Sequence, residues 1–471
     1  MKNIQKYVYT IVIGIAFAPF FTHAAPTFDF ERVSVSSDEE EGEIDSMGIS
    51  PFSISGNGRY VVFSSQDPLT GEAITFGGIF LRDREEGTTI LISNKSLSAG
   101  TIARGGRYVA FESAADDLVA GDDNSATDVF VYDIEEETIE RIEAPLGEDP
   151  DQGASEPAIS PDGRFVVFKS PSTNFIEDDT NDSTDLYLYD RDLDSFERIN
   201  ITSDEEETTT NAGFSGTQAS FSDDGRYVAF VWATNANLTD DTLNGSAALY
   251  LRDRQDGTTV LIADETTQSG VLSSDGRYVA FSSQDTDITE DELSGDGAVF
   301  LKDLQGDTIS FVADYAYFAS LSEDGRFISY ASCIGDSGNY PCHLFRFDSQ
   351  TDTTLQVTEG AEDIETLDSG ANTIASEGSV IVFRSNASNL VDDDTNEIAD
   401  IFVWEEPVEE EVPENNEDSG RNGSSGGHRR STEISNPGIG IDSLDEPRVM
   451  ELQRKLIELL KQLILLLAGQ Q

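Results

Sequence analysis

The chain reads as an all-β protein: a seven-bladed β-propeller whose N-terminal strand closes the last blade, followed by a linker and a C-terminal α-helix. Three observations predict this. A short phrase of a turn running into a strand recurs seven times. Each recurrence belongs to a set of strand-like runs that numbers four. The last set lacks its fourth run, and the start of the exported chain holds one to spare.

The phrase is clearest at Ser160-Pro161-Asp162-Gly163-Arg164-Phe165-Val166-Val167-Phe168. Pro presets φ, Asp bonds its own backbone and Gly takes a positive φ, so the first half is a turn. The β-branched and aromatic run behind it suits a strand. Copies lie around Gly58, Gly106, Gly225, Gly276 and Gly325, and a worn copy at Gly378. Successive glycines stand 48 to 62 residues apart. Repeats of roughly 40–50 residues with several strands each mark a propeller.

In the third repeat the four strands are expected near Ser155–Ile159, Arg164–Ser170, Asp185–Tyr189 and Ser195–Ile201. The third strand ends in an aspartate, as at Asp133, Asp190, Asp253 and Asp303, ahead of a tight turn. The inner strands are rich in Val, Phe, Tyr and Ala because neighbouring blades cover both faces. The seventh repeat has strands at Ser379–Ser385 and Ala399–Trp404, then breaks into Glu405-Glu406-Pro407. Phe30-Glu31-Arg32-Val33 near the start matches Phe196-Glu197-Arg198-Ile199, a fourth strand. The first strand should therefore complete the last blade and remove the free edges of an open array.

The expected domains are a signal peptide over 1–24, the propeller over 25–405, an acidic and Gly/Ser-rich flexible linker over 406–442 and an amphipathic helix over 443–471. Lys2 and Lys6 precede an apolar run from Tyr7 to Phe21 and small residues at Ala24-Ala25, which reads as an export signal rather than a membrane span. The protein is thus expected in the periplasm, at the cell surface or secreted. Cys333 and Cys342 are the two cysteines, and an oxidising compartment would close them into a disulfide; two free thiols are the other reading. In the tail Val449, Leu452, Leu456, Leu459, Leu463 and Leu466 form an a/d seam, suited to self-association or to contact with a partner or the envelope.

Lys and Arg number 29 against 91 Asp and Glu, a net charge of −62. Such a surface repels phosphate and excludes nucleic acid as a partner. It suits cations and basic proteins. The loops between second and third strands are candidates for a hard cation, Ca²⁺, because carboxylate and amide oxygens crowd there. The ligands would be Asp178, Asp179, Asn181 and Asp185 in the third repeat, and Asp392, Asp394, Asn396 and Asp400 in the seventh. Asp122 to Asp128 of the second repeat is a similar run. The same residue types also make plain capped turns. These loops share a face with blade connections such as Asp38-Glu39-Glu40-Glu41 and Asp204-Glu205-Glu206-Glu207, so one face should be strongly acidic.

The Ser-x-Asp-Gly-Arg-aromatic phrase, at Ser160–Phe165, Ser222–Tyr227, Ser273–Tyr278 and Ser322–Phe327, resembles the TolB-type, WD-like propeller repeats of bacteria. The resemblance spans about Thr27 to Glu405. It implies that Asp162, Gly163 and Arg164 and their counterparts are architectural, and that the protein is an adaptor, a receptor or an enzyme's accessory domain.

Catalytic residues are not evident. The two histidines of the exported chain are His343, beside Cys342, and His428, in the linker. Gly423-Ser424-Ser425-Gly426-Gly427 mimics a nucleophile elbow but has no strand before it. The leading expectation is a non-catalytic exported propeller that binds a protein or a cationic ligand on its acidic face, with calcium holding the loops. The alternative is a secreted hydrolase or lyase with its site at the mouth of the central channel.

Overall fold

The structure, a computed structural model, describes residues 29–407 apart from 45, 97, 123, 146–147, 178, 182, 209–218, 242, 244–245, 267–269, 286, 290–292, 294–296, 334–341, 359–371, 393 and 397. The expected signal peptide, the C-terminal helix and all of the linker past 407 lie outside these residues.

Seven four-stranded antiparallel sheets make the blades. Blade 3 runs Ser155–Ile159, Phe165–Ser170, Asp185–Asp190 and Ser195–Arg198, each strand pairing with the next in sequence. Blades 1, 2, 4, 5 and 6 repeat this order. Blade 7 takes three strands from Thr373–Ile374, Val380–Ser385 and Asp400–Glu405, and its fourth is Asp29–Arg32. Phe30 pairs with Trp404 and Arg32 with Phe402, so the chain closes on itself as its sequence predicts. Val33 N–H donates to Ile401 O at 2.8 Å, and Ser34 Oγ donates to Asp400 at 2.6 Å.

The turn phrase welds six of the blades internally, and blade 7 has Ser379 in place of the arginine. Ser160 Oγ accepts the Phe165 N–H (2.8 Å) and donates to Asp162 (2.7 Å), which also accepts the Arg164 N–H. Arg164 then grips Asp190, the end of the third strand, through two bonds of 2.9 and 2.6 Å. Asp190 also accepts the N–H groups of Asp192 and Leu193 and so shapes the turn to the fourth strand. Gly163 has φ +79°, and a Cβ there would meet the Tyr108 ring of blade 2 at 2.1 Å. The glycine thus serves both the turn and the seam between blades.

Each blade packs one aromatic pair across its second and third strands. Phe63 faces Phe80, Phe111 faces Phe130, Phe168 faces Tyr187, Phe230 faces Tyr250, Phe281 faces Phe300, Tyr330 faces Phe345 and Phe383 faces Phe402. Ring centroids in the stacked pairs are 5.5 to 5.9 Å apart, the offset arrangement that aromatic quadrupoles prefer. Cys333 and Cys342 face each other on adjacent strands of blade 6 and are joined by a disulfide.

Candidate functional site

Two polar assemblies stand out, one on each face. The first is on the face of the loops between second and third strands. In blade 3, Asp179 and Asp185 lie 3.3 and 3.2 Å from the guanidinium of Arg198, a fourth-strand residue that also bonds Glu207. In blade 7, Arg32 contacts Glu41 at 2.7 Å and lies 3.8 Å from both Asp394 and Asp400. In blade 2, Arg141 lies 3.0 Å from Asp122 and 3.6 Å from Asp128, and also bonds Asp149. A buried guanidinium thus stands among the carboxylates that the sequence offers to Ca²⁺.

The amides of the same loops make capped turns. Asn181 accepts the Ser183 N–H and donates to Asp185 and Thr208 O. Asn396 accepts the Ile398 N–H and donates to Gly42 O. Asp392 is exposed, and Asp178 lies outside the described residues. Among the described residues no group of three or more His, Cys, Asp or Glu is arranged to hold a metal. Burial pushes the carboxyls of Asp128 and Asp400 up to about 6, and it raises Asp185 too. The opposing pulls are an Asn124 bond and Arg141 for Asp128, and a Ser34 bond and Arg32 for Asp400.

The arginines were readable in the repeat. Blades 2, 3 and 7 have Asp128, Asp185 and Asp400 at the start of the third strand and Arg141, Arg198 and Arg32 in the fourth. Blades 1, 4 and 5 have Gly78, Ala247 and Ala298 with Leu91, Leu261 and Phe311. Acid and arginine come and go together.

The second assembly is axial. The residue between the serine and the turn aspartate varies from blade to blade: Gly56, Arg104, Pro161, Asp223, Ser274, Glu323 and Ser376. The first strands line the channel, so these seven residues meet in a collar at its end. Backbone bonds link them around the axis. Gly56 N–H donates to Arg104 O (2.8 Å), Gly105 to Pro161 (3.0 Å), Asp223 to Ser274 (2.8 Å), Ser274 to Glu323 (2.9 Å), Glu323 to Ser376 (3.1 Å) and Ser376 to Gly56 (3.2 Å). Pro161 has no N–H to give. The collar is tight, since a Cβ on Gly56 would meet Ser376 Oγ at 2.3 Å.

Side chains then converge within it. Arg104 reaches from blade 2 to blade 5, where Nη1 donates to Ser274 Oγ at 2.9 Å. Ser376 Oγ donates to Glu323 Oε1. Burial lowers the pKa of Arg104, while Glu323 and Asp223 pull it back up. Asp223 is exposed and Glu323 half-buried. The wall beside them is apolar, with Phe52, Ile102, Val271, Leu321 and Ile374, and spaces of about 10 and 20 Å³ remain beside Arg104, each about enough for one water. Two carboxylates of unequal exposure beside a desolvated cation are the parts of an acid–base site. Sequence reasoning missed it because these positions are the most variable place in the phrase.

His343 is half-buried on the third strand of blade 6, its Nδ1 3.5 Å from Thr358 Oγ1. His428 and the elbow-like run 423–427 lie outside the described residues.

No family model matches the chain, and no curated protein matches it. Solved structures do. An oligogalacturonate lyase from Vibrio parahaemolyticus is 13% identical, with 81% of this chain and 97% of that chain covered and a TM-score of 0.51. TolB from Acinetobacter baumannii is 15% identical over 74% of this chain and 81% of that chain, TM-score 0.37. Dipeptidyl peptidase 4 from Porphyromonas gingivalis is 13% identical over 73% of this chain and 50% of that chain, TM-score 0.43. At these identities the likeness is one of fold: the protein is a seven-bladed β-propeller.

The expectation of a non-catalytic scaffold working through its acidic loop face is corrected here. A lyase carries this fold over 97% of its own chain, so a lone propeller is no argument against catalysis. The loop carboxylates that were to face a partner are in large part turned onto Arg32, Arg141 and Arg198.

Proposed function

We propose that the protein is an exported hydrolase or lyase whose site is the collar at the mouth of the central channel. The observation that carries it is the reach of Arg104 across the axis to Ser274, whose backbone bonds Asp223 on one side and Glu323 on the other. Glu323, held by Ser376, and Asp223, open to solvent, form the acid–base pair. Arg104 stabilises negative charge that develops on the substrate. Its guanidinium is fixed by Ser274, so little reorganisation is needed. The oligogalacturonate lyase of the same fold supports an enzymatic reading. The net charge of −62 repels polyanions, so the substrate is uncharged or basic, which favours hydrolysis over elimination from a polyuronide. Export rests on the sequence over 1–24, and the repeat is of the TolB type by its turn phrase.

The test is turnover by the purified secreted protein of neutral oligosaccharides, polyuronides and peptides, followed by product release. Glu323→Gln and Asp223→Asn should each lower kcat about 100-fold or more, the usual worth of a positioned acid or base. Turnover unchanged in both variants, or none on any of the three classes, would overturn the reading.

A further inference from the structure

The seams between blades are not all filled alike. At three of them an arginine just past the third strand crosses to the preceding blade. Arg84 of blade 1 bonds Glu31 of blade 7 at 2.7 Å and Gly58 O at 2.6 Å. Arg191 of blade 3 bonds Glu140 and Gly163 O and lies 4.5 Å over Tyr108. Arg254 of blade 4 bonds Glu197 at 2.9 Å and Gly225 O at 2.7 Å, and lies 4.6 Å over Phe165. Each clamp thus uses a turn-glycine carbonyl and a fourth-strand glutamate; those of blades 3 and 4 add an aromatic ring, where the seam of blade 1 has Val380.

Between blades 4 and 5 the same positions differ. Leu304 stands where Arg254 stands one blade earlier, and Val260 stands where Glu197 does. The seam holds a groove of about 690 Å³ lined by Tyr227, Leu251, Val260, Gly276, Leu304 and Gln305 among others. That is the size of a ligand site. Val260 is 45% exposed, so the two aliphatic side chains do not close the groove. Tyr227 carries one guanidinium among the described residues, its own Arg226 at 4.9 Å, where Phe165 carries two. Asp253, Asp275 and Asp307 border the groove against Arg277 and Lys302.

We infer that this groove binds an arginine side chain of a partner polypeptide. The guanidinium would lie on Tyr227 and donate to Gly276 O, as Arg254 does on Phe165 and to Gly225 O. Leu304 and Val260 would receive its methylene stem. Lysine fits less well, because its ammonium cannot stack as a plane or donate in a fork. The excess of carboxylates at the border and over the whole chain draws a cation in. This inference is independent of the collar and of any catalysis there.

Fluorescence anisotropy with a labelled Gly-Arg-Gly peptide, set against Gly-Lys-Gly and Gly-citrulline-Gly, tests it on the full chain. Saturable binding of the arginine peptide, at least tenfold tighter than of the other two, is expected. Leu304→Arg should supply the cation from within and weaken binding at least tenfold, with an unchanged circular dichroism spectrum. Tyr227→Leu should also weaken it, which keeps the test open if Leu304→Arg does not fold. Ile134→Arg, the matching change at the seam between blades 1 and 2, should leave binding as it was. Equal binding of the three peptides, wild-type affinity in both Leu304→Arg and Tyr227→Leu, or equal loss in Ile134→Arg would overturn the inference.

Discussion

At the residue scale the turn phrase shows why so few residue types recur. In Ser160-Pro161-Asp162-Gly163-Arg164, serine and aspartate satisfy the turn backbone and arginine ties it to Asp190. Only the second position is spared such work, and that is where the collar residues sit. Gly163 is the least replaceable. Alanine there would need a left-handed backbone and would press a methyl into the Tyr108 ring at 2.1 Å. Gly163→Ala should cost about 2 kcal/mol or more, read as a lower urea midpoint at unchanged slope. An unchanged midpoint would show that the seam yields.

The buried aspartates set a pH dependence of a definite sign. Asp128 and Asp400 rise from 3.8 to about 6 through burial. A group raised in the fold contributes stability that is complete below its unfolded pKa and is lost as pH climbs through the folded one. Asp190, Asp253 and Asp348 run the other way: burial pushes the first two up, but Arg164 and Arg226 bonds win and hold them low, and an Arg326 bond does the same for Asp348. Their contribution is present above the ordinary carboxylate pKa and lost on acidification. Stability should therefore peak near pH 4 to 5 and decline toward pH 7, by on the order of 2 kcal/mol for each of the two raised groups. Melting temperatures from pH 3 to 8 test this. Asp128→Asn with Asp400→Asn should flatten the limb between pH 4 and 7, and a limb of unchanged slope would sink the assignment.

At the element scale the loops of blades 2, 3 and 7 each gather several carboxylates around one buried arginine. The match of Phe30-Glu31-Arg32 to Phe196-Glu197-Arg198 was legible as a strand, yet the likeness goes further: Arg32 and Arg198 hold the same kind of acidic loop. Spacing along one loop suggested a cation site; it does not show that the fourth strand brings an arginine to the same carboxylates. Arg198→Leu should leave Asp179 and Asp185 buried without it, at a cost of about 3–5 kcal/mol. With Arg198 in place, a calcium chelator is expected to leave the melting temperature unchanged. A fall in the wild-type protein on chelation would show that these loops hold a cation beside the arginine.

At the scale of the whole molecule, the blade count and the closure were readable because each rests on local chemistry repeated seven times. The collar and the groove between blades 4 and 5 were not, because each is made of single residues about 50 positions apart that only closure brings together. Closure itself depends on one short strand. Asp29–Arg32 pairs along Phe402–Glu405, Val33 is wholly buried, and Ser34 caps Asp400. Burial of Val33 alone is worth about 1.5–3 kcal/mol, and the clamp from Arg84 to Glu31 joins blade 1 to the same strand. A protein beginning after Val35 would keep three strands in blade 7 and expose the edge of Asp400–Glu405. It should melt well below the full chain and associate through that edge. A synthetic peptide of residues 27–35 added in excess should restore the melting temperature, since an extended segment can add to an open sheet edge. A shortened protein that melts with the full chain, or one that ignores the peptide, would show that the other six seams hold the ring without its clasp.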